Sequence, residues 1–474
     1  MTRTLRGDWR PWALAVGLFA GALSILPLRQ KLALLAAFTL LCTLAWMLNA
    51  PHRWIVAFLV SALVLPPLPI ELGNSGPHIC LLAALVGLLV GAARRWEIPA
   101  GPLTRAFLFL FFVLLASSCM AVWASGTLIA AGSLVRVMLL GISIYLFFQV
   151  QCAPPDLRLE HNLLRLLFVA GMVSALFACL DFYFHFPAPA GFAPQYVWLS
   201  SGVFRRAQGV FYEASTLGNV CAFFLVLIMV ALARGKEESP LPRSLLVCGG
   251  VLFATAMVLS YSRGSLVNVM VAGLALLFLQ RGRFRWTRVI PAVAALLLVA
   301  SYAIIRLFPA LSDAYLQRAS SVAYILSSPE GVLSGRVGNW QFLLDFLRQQ
   351  PAYALLGIGY KTIPYSGLFG AEVVSDNVYL GLLLEAGVLG LAAILWLNAT
   401  ILRASYHAAI ATATRRNPLR AFFGTCMFCF WAGESVQMLS GDLLTYWRVL
   451  PLYFWALALA TRHTYENSDR RPVC

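Results

Sequence analysis

Residues 244–280 read SLLVCGGVLFATAMVLSYSRGSLVNVMVAGLALLFLQ and are apolar over almost their whole length. A helix rises about 1.5 Å per residue, so a hydrocarbon core of about 30 Å is crossed by about 20 residues. The 37 residues here are too many for one crossing, and a single broken helix is the weaker reading. Ser262-Arg263 divides them into two runs, 244–261 and 264–280, each the length of a span. The pattern continues in both directions. Further candidate spans are 11–28, 32–49, 54–70, 78–93, 106–124, 128–150, 166–186, 210–233, 289–308, 377–400, 421–439 and 444–461. The expected fold is all-α, a polytopic transmembrane helical protein of about 14 spans, within a range of 12–14. Residues 1–308 would carry helices 1–11 with short loops, 309–376 a large external loop, and 377–474 helices 12–14 with a cytoplasmic tail.

Composition agrees with lipid as the solvent. Of 474 residues, 61% are hydrophobic and 11% are charged, against about 25% charged in soluble proteins. That excludes a disordered chain, a nucleic-acid-binding domain and an ordinary soluble enzyme. The net charge of +16 is nearly all arginine, with Lys31, Lys236 and Lys361 the only lysines. No basic run is paired with a soluble fold, so the charge reads as loop anchoring against anionic headgroups. The ten cysteines are scattered, most of them in apolar runs, and read as small buried hydrophobes. Cys426 and Cys429 read the same way, as two thiols one turn apart in a spanning helix. The basic start, Met1–Arg10, leads into an apolar run with no evident cleavage site, which reads as a retained first span.

The basic residues give the layout an orientation. With the N-terminus inside, the cytoplasmic segments hold 23 of the 35 basic residues, and the external turns near 71–77 and 125–127 hold none. This satisfies the positive-inside rule. The external loop 309–376 is about 68 residues long, and loops of that length are usually functional. Within it, 336–350 reads as an amphipathic helix ended by Pro351, its apolar side carrying Val337, Trp340, Leu343, Leu344 and Leu347. That helix is expected at the membrane surface. A second external loop, 187–209, carries Arg205 and Arg206.

Charges inside spans are costly and are functional candidates by default. Here Arg136, Asp181, Glu213, Arg263, Glu385, Glu434, Asp442 and Arg448 all fall in the outer half or outside. Some will be structural ion pairs. Their gathering on one side points to a polar cavity opening to the outer face and lined by several arginines. Guanidinium groups bind phosphate bidentately and stay charged. A lipid diphosphate would present its headgroup at this depth, and a nearby carboxylate could take a proton from a sugar hydroxyl. A transporter for an anionic or lipid-linked saccharide fits the same charges, although no clear repeat relates the two halves and the polar residues favour one face over the midplane.

Four short motifs follow in order on the predicted outer face. They are Gly-Val-Phe-Tyr-Glu-Ala-Ser-Thr-Leu-Gly-Asn (209–219), Tyr-Ser-Arg-Gly-Ser (261–265), Gly335-Arg336 with Trp340 and Leu356-Gly-Ile-Gly-Tyr360, and Ser375-Asp-Asn-Val-Tyr-Leu380 with Glu385-Ala-Gly-Val-Leu-Gly390. Over about Gly209–Thr400 the chain resembles the O-antigen ligase and O-antigen polymerase superfamily of bacterial inner-membrane glycosyltransferases. The resemblance implies an undecaprenyl diphosphate-linked glycan as donor, a site facing the periplasm, arginines holding the diphosphate, and no metal or other cofactor. Partners implied are membrane lipids and, for a polymerase, a repeat-unit flippase and a chain-length regulator. Ligases carry a histidine directly before the Asn-x-Tyr-Leu stretch; this chain has Asp376 there. That departure and the fourteen spans favour an O-antigen or exopolysaccharide polymerase, joining repeat units for polysaccharide biosynthesis. An O-antigen ligase, transferring glycan to the lipid A core of lipopolysaccharide or to protein, is the alternative.

The expected catalytic residues are Asp376, or else Glu213, as base, and Arg263 and Arg336 against the departing charge. Arg205, Arg206, Arg136, Asn377 and Tyr379 are expected to bind substrate. Each has a plainer reading. Arg336 could anchor a surface helix, Arg263 could snorkel, Asp376 could N-cap the twelfth span, and Glu385 reads as a structural pair. Gly357 and Gly359 read as permitting a tight turn. His161, His407 and His463 fall on the cytoplasmic side, and no His/Cys/Asp cluster has metal-ligand spacing.

Overall fold

The computed structural model describes residues 52–68, 77–94, 98–189, 191–199, 202–235, 239–280, 336–369, 373–410 and 418–462, with isolated positions between 27 and 47. The candidate spans 11–28, 32–49 and 289–308, and the loop's first part 309–335, fall wholly or largely outside them. The elements are α1 (Arg53–Val64), α2 (Cys80–Arg94), α3 (Pro102–Ser125), α4 (Thr127–Cys152), α5 (Leu157–Phe184), β1 (Tyr196–Leu199), β2 (Gly202–Arg205), α6 (Ala214–Arg234), α7 (Arg243–Leu259), α8 (Arg263–Leu279), α9 (Arg336–Gln349), α10 (Pro351–Leu356), α11 (Val378–Ile410), α12 (Pro418–Gln437) and α13 (Leu450–Thr461). This is a helical, membrane-embedded protein. Five helices, α3, α4, α5, α6 and α11, are long and apolar enough to cross a membrane, and α1, α2, α7, α8 and α13 are shorter apolar helices.

The boundaries follow local chemistry. α5 begins nine residues before the expected 166, because Asp156 Oδ1 accepts from the N–H groups of Arg158 (3.0 Å) and Leu159 (3.1 Å). α1 stops at Val64, before Pro66-Pro67. The 244–280 stretch is two helices, α7 and α8, turned at Tyr261 with φ +53°. α13 is apolar on every side and buried from Leu450 to Ala460, so it sits inside the bundle, packed on α4, α11 and α12. Cys426 and Cys429 are buried in α12 as expected.

Two departures from the expected fold matter. First, it is not purely helical. In the 187–209 loop, β1 and β2 pair antiparallel with Val197 opposite Phe204. Aromatic and β-branched residues favour strands, and Gly202, at φ +140°, opens β2 opposite Leu199. Second, α11 is broken. Gly387 is non-helical (φ +69°, ψ −168°), so the carbonyls of Leu384 and Glu385 lose their intrahelical partners. They accept instead from Ile358 N–H (3.1 Å), from Gly359 N–H (2.9 Å) and from Ser117 Oγ (2.8 Å). Backbone at membrane depth must be satisfied somewhere, and here the loop after α10 satisfies it.

α9 lies where the amphipathic helix is expected, but its buried face is narrower. Leu343 and Leu347 pack with Ile358, Ile363, Phe369 and Leu384 in a second small core, while Leu344 is exposed. Pro351 both ends α9 and opens α10.

Candidate active site

One cavity of ≈1220 Å³ gathers most of the unusual charges. Its wall is built from the segments that lead into α2, α6, α8, α11 and α13, together with Arg136 of α4 and the 360–365 loop. Several helix N-termini therefore face one space. Their free N–H groups and dipoles favour negative charge there.

The backbone is strained at this place. Among the described residues, five non-glycine residues have positive φ, and four of them line the cavity: Tyr212 (+53°), Tyr261 (+53°), Lys361 (+57°) and Asp376 (+42°). Such conformations cost about 1–3 kcal/mol each and cluster at functional sites. The first, second and fourth come just before a helix. Tyr212 precedes Glu213 and α6. Tyr261 precedes Ser262, whose Oγ accepts from Ser265 N–H at 3.4 Å. Asp376 precedes Asn377, whose Oδ1 accepts from the N–H groups of Tyr379 (3.0 Å) and Leu380 (3.1 Å). The left-handed residue turns the chain, the next residue starts the helix, and the side chain at the bend faces the cavity.

The four sequence motifs pack in pairs. A Cβ on Gly218 would come within 2.7 Å of Ser262 and Ser265, so the glycine lets α6 lie against the start of α8. A Cβ on Gly357 would meet the Glu385 carbonyl oxygen at 2.3 Å, and one on Gly387 would meet that of Leu355 at 2.2 Å. The 356–360 glycines thus dock the loop into the break in α11, a larger role than a tight turn.

The charges are held individually. Arg336 Nε donates to Asp376 Oδ2 at 3.0 Å, with both side chains partly exposed. Trp340 Nε1, one turn on, donates to Ser375 O at 2.7 Å and fixes α9 on the same strip. Arg136 donates to Lys361 O (2.7 Å) and stacks on Tyr365. Lys361 pairs with Asp442. Arg206 Nε donates to Ser260 O at 2.9 Å, tying the hairpin to the α7–α8 turn. Glu385 is buried beside the α11 break and lines the cavity together with Lys361 and Arg136. Burial pushes the Glu213 carboxyl above its ordinary value of 4.5; the Thr216 hydroxyl, donating at 2.6 Å, and Arg206 oppose the shift, and Asp376 adds to it. Burial lowers the Lys361 ammonium below its ordinary value; Glu385 and Asp376 oppose this, and Arg136 adds to it.

Of the residues expected from sequence, Asp376, Arg336, Arg263, Glu213, Arg206 and Arg136 line the cavity together. Arg205, Asn377 and Tyr379 are not among the lining residues. Arg205 points the other way along β2 and pairs with buried Asp181 at 3.1 Å. Asn377, not Asp376, makes the capping bonds of α11. Tyr379 donates to Ser435 O at 2.7 Å and accepts from Asn398 Nδ2, on the packing face of α12. Sequence reading passed over Lys361, His78 and Tyr212 as lining residues. A lone lysine in a loop and a histidine before a span carry no local signal, and Tyr212 was visible only as a motif letter.

The family model described as O-antigen ligase matches residues 248–395. No curated protein matches the chain. The matched segment runs from α7 into α11 and carries Arg263, Arg336, Lys361, Asp376 and Glu385. It supports membership of the O-antigen ligase superfamily and, with it, a ligase- or polymerase-type role in glycan transfer.

Proposed function

We propose that the protein is a glycosyltransferase that moves a glycan from undecaprenyl diphosphate to an acceptor hydroxyl, in a cavity facing the periplasm of the bacterial inner membrane. The observation that carries this reading is the convergence of Arg206, Arg263, Arg336, Glu213 and Asp376 on one cavity at helix N-termini. The acceptor hydroxyl gives its proton to Glu213, its oxygen bonds to the anomeric carbon, and the bond from that carbon to the diphosphate oxygen breaks. The electron pair leaves with the diphosphate, whose charge Arg263, Arg336 and the helix N-termini stabilise. Attack opposite the leaving group inverts the anomeric centre. Glu213 suits the base better than Asp376, because Asp376 already accepts from Arg336 and so positions that guanidinium.

The description of the matched family favours a ligase, with lipid A core or a protein as acceptor. A polymerase is the second reading, favoured by Asp376 at the place where ligases carry histidine. The test is turnover by purified protein in nanodiscs with the host's lipid-linked glycan and EDTA, offered lipid A core, protein, or further repeat units. Product on lipid A core or protein supports the ligase; a ladder of longer lipid-linked glycan supports the polymerase. Arg336→Ala should lower turnover by about 10²-fold or more. Folded protein that makes no product with any acceptor would overturn the reading and leave transport.

A further inference from the structure

Three rings in the cavity wall have a cation on their faces. Arg136 covers Tyr365 (5.3 Å to the centroid), Lys361 covers Tyr360 (5.4 Å) and Arg448 covers Phe211 (5.2 Å). Phe192 and Tyr212 differ. Both line the cavity, both are half-buried, and their rings pair with each other at 5.2 Å and 42°. Among the described residues no cation lies over either ring.

The pair is rigidly mounted. Gln208, itself buried, donates to Ala193 O (3.1 Å) and to Tyr212 O (2.8 Å), and its Oε1 accepts from Gln195 N–H (3.2 Å). Gln195 Oε1 in turn accepts from Ala214 N–H at 3.0 Å. Two glutamines therefore stitch the segment holding Phe192 to the turn holding Tyr212. That turn is the left-handed one at φ +53°, and the next residue is Glu213. An apolar ring surface beside a carboxylate, in a cavity proposed to transfer glycan, fits a sugar ring. Its C–H face stacks on aromatic carbon, and its hydroxyls reach the polar group beside it.

We infer that Phe192 and Tyr212 form a saccharide-binding platform that seats the acceptor sugar with a hydroxyl at Glu213, apart from the arginines that would take the diphosphate. This rests on the proposed glycosyl transfer for the identity of the acceptor, but the binding itself can be measured without turnover. The same chemistry is offered by lipid A core oligosaccharide and by the repeat-unit oligosaccharide, so both are probes.

The experiment measures binding of each delipidated oligosaccharide, and separately of undecaprenyl diphosphate, to the full-length protein in nanodiscs. Variants are Phe192→Ala and Tyr212→Asn. Asparagine removes the ring and tolerates the left-handed backbone that alanine would strain. Tyr212→Phe and Phe192→Tyr keep rings and control for folding. The expected result is that one oligosaccharide binds the wild-type protein and the source is thereby identified. Each ring deletion weakens it roughly 3- to 10-fold, the ring-keeping variants restore it, and undecaprenyl diphosphate binding is unchanged throughout. An oligosaccharide that binds while undecaprenyl diphosphate does not keeps the platform and sinks the donor assignment. Oligosaccharide binding that is absent from wild type, or indifferent to both ring deletions in folded protein, overturns the platform whatever the donor does.

Discussion

At the scale of single residues, Glu213 carries the clearest prediction. A carboxyl must be ionised to accept a proton, and burial holds this one above its ordinary 4.5. Turnover should therefore fall as pH drops through that raised value, giving an acid limb above the range of an exposed glutamate. Thr216 donates to the ionised form and so favours it. Thr216→Val should lift the pKa further and move the acid limb to higher pH, while Glu213→Gln should remove turnover at every pH. A pH–rate profile of the three proteins checks this, and a Thr216→Val limb that moves down or stays put would remove Glu213 as base. Asp376 is predicted to act through Arg336. Asp376→Asn keeps an acceptor oxygen for the guanidinium and fits the left-handed backbone, so it should reduce turnover less than Arg336→Ala, about 10-fold against 10²-fold. Equal losses in a rate assay would argue that the Asp376 charge itself takes part.

At the scale of elements, the break in α11 is the feature most exposed to test. Gly387 has φ +69° and no room for a Cβ beside Leu355 O. Gly387→Ala should destabilise by at least about 2 kcal/mol, whereas Gly273→Ala, on a helical glycine with open space around it, should be neutral or stabilising by up to about 1 kcal/mol. Thermal unfolding in detergent measures both; equal effects would mean the loop does not depend on the break. The same elements show what a sequence can carry. Helix existence was legible from apolar runs, because burial in lipid needs about 20 such residues whatever their neighbours do. The gathering of Arg136, Arg263, Arg336, Glu213 and Asp376 was legible too, because a charge beside a span has few tolerable places. The broken helix was not, since a glycine in an apolar run reads the same whether helical like Gly273 or kinked like Gly387. Nor was the choice between neighbours: Arg205 and Arg206 look alike in sequence, and strand alternation sends one to Asp181 and the other to Ser260.

At the scale of the whole molecule, two arrangements tie the cavity to the bundle. Beneath it, α6, α8, α12 and α13 meet at buried Glu434. Its Oε2 accepts from Asn219 Nδ2 (2.6 Å) and Asn268 Nδ2 (2.8 Å), and Tyr453 donates to Asn219 Oδ1 at 2.5 Å. Glu434→Leu takes one acceptor from each amide and leaves Gln437 Oε1 as their shared partner (3.3 and 3.1 Å), so it should cost about 1–3 kcal/mol; Glu434→Gln keeps an acceptor oxygen and should cost less, by the same unfolding measurement. Above it, the helices that begin at the cavity, α2, α6, α8, α11 and α13, alternate with others that end near it, as α7 and α12 do at Ser260 and Gln437. A chain that crosses a membrane repeatedly must alternate in this way, so all of these ends lie on one side. From the arginine distribution we propose that this side is the outside. In a background with the native cysteines replaced, Leu368→Cys, exposed on the loop beside the cavity, should react with a membrane-impermeant maleimide on intact cells. Ser239→Cys, between α6 and α7 at the far end, should react only after permeabilisation. The reverse pattern would place the cavity in the cytoplasm, where a lipid-linked glycan delivered to the periplasmic leaflet could not reach it, and the proposed reaction would fall with the topology.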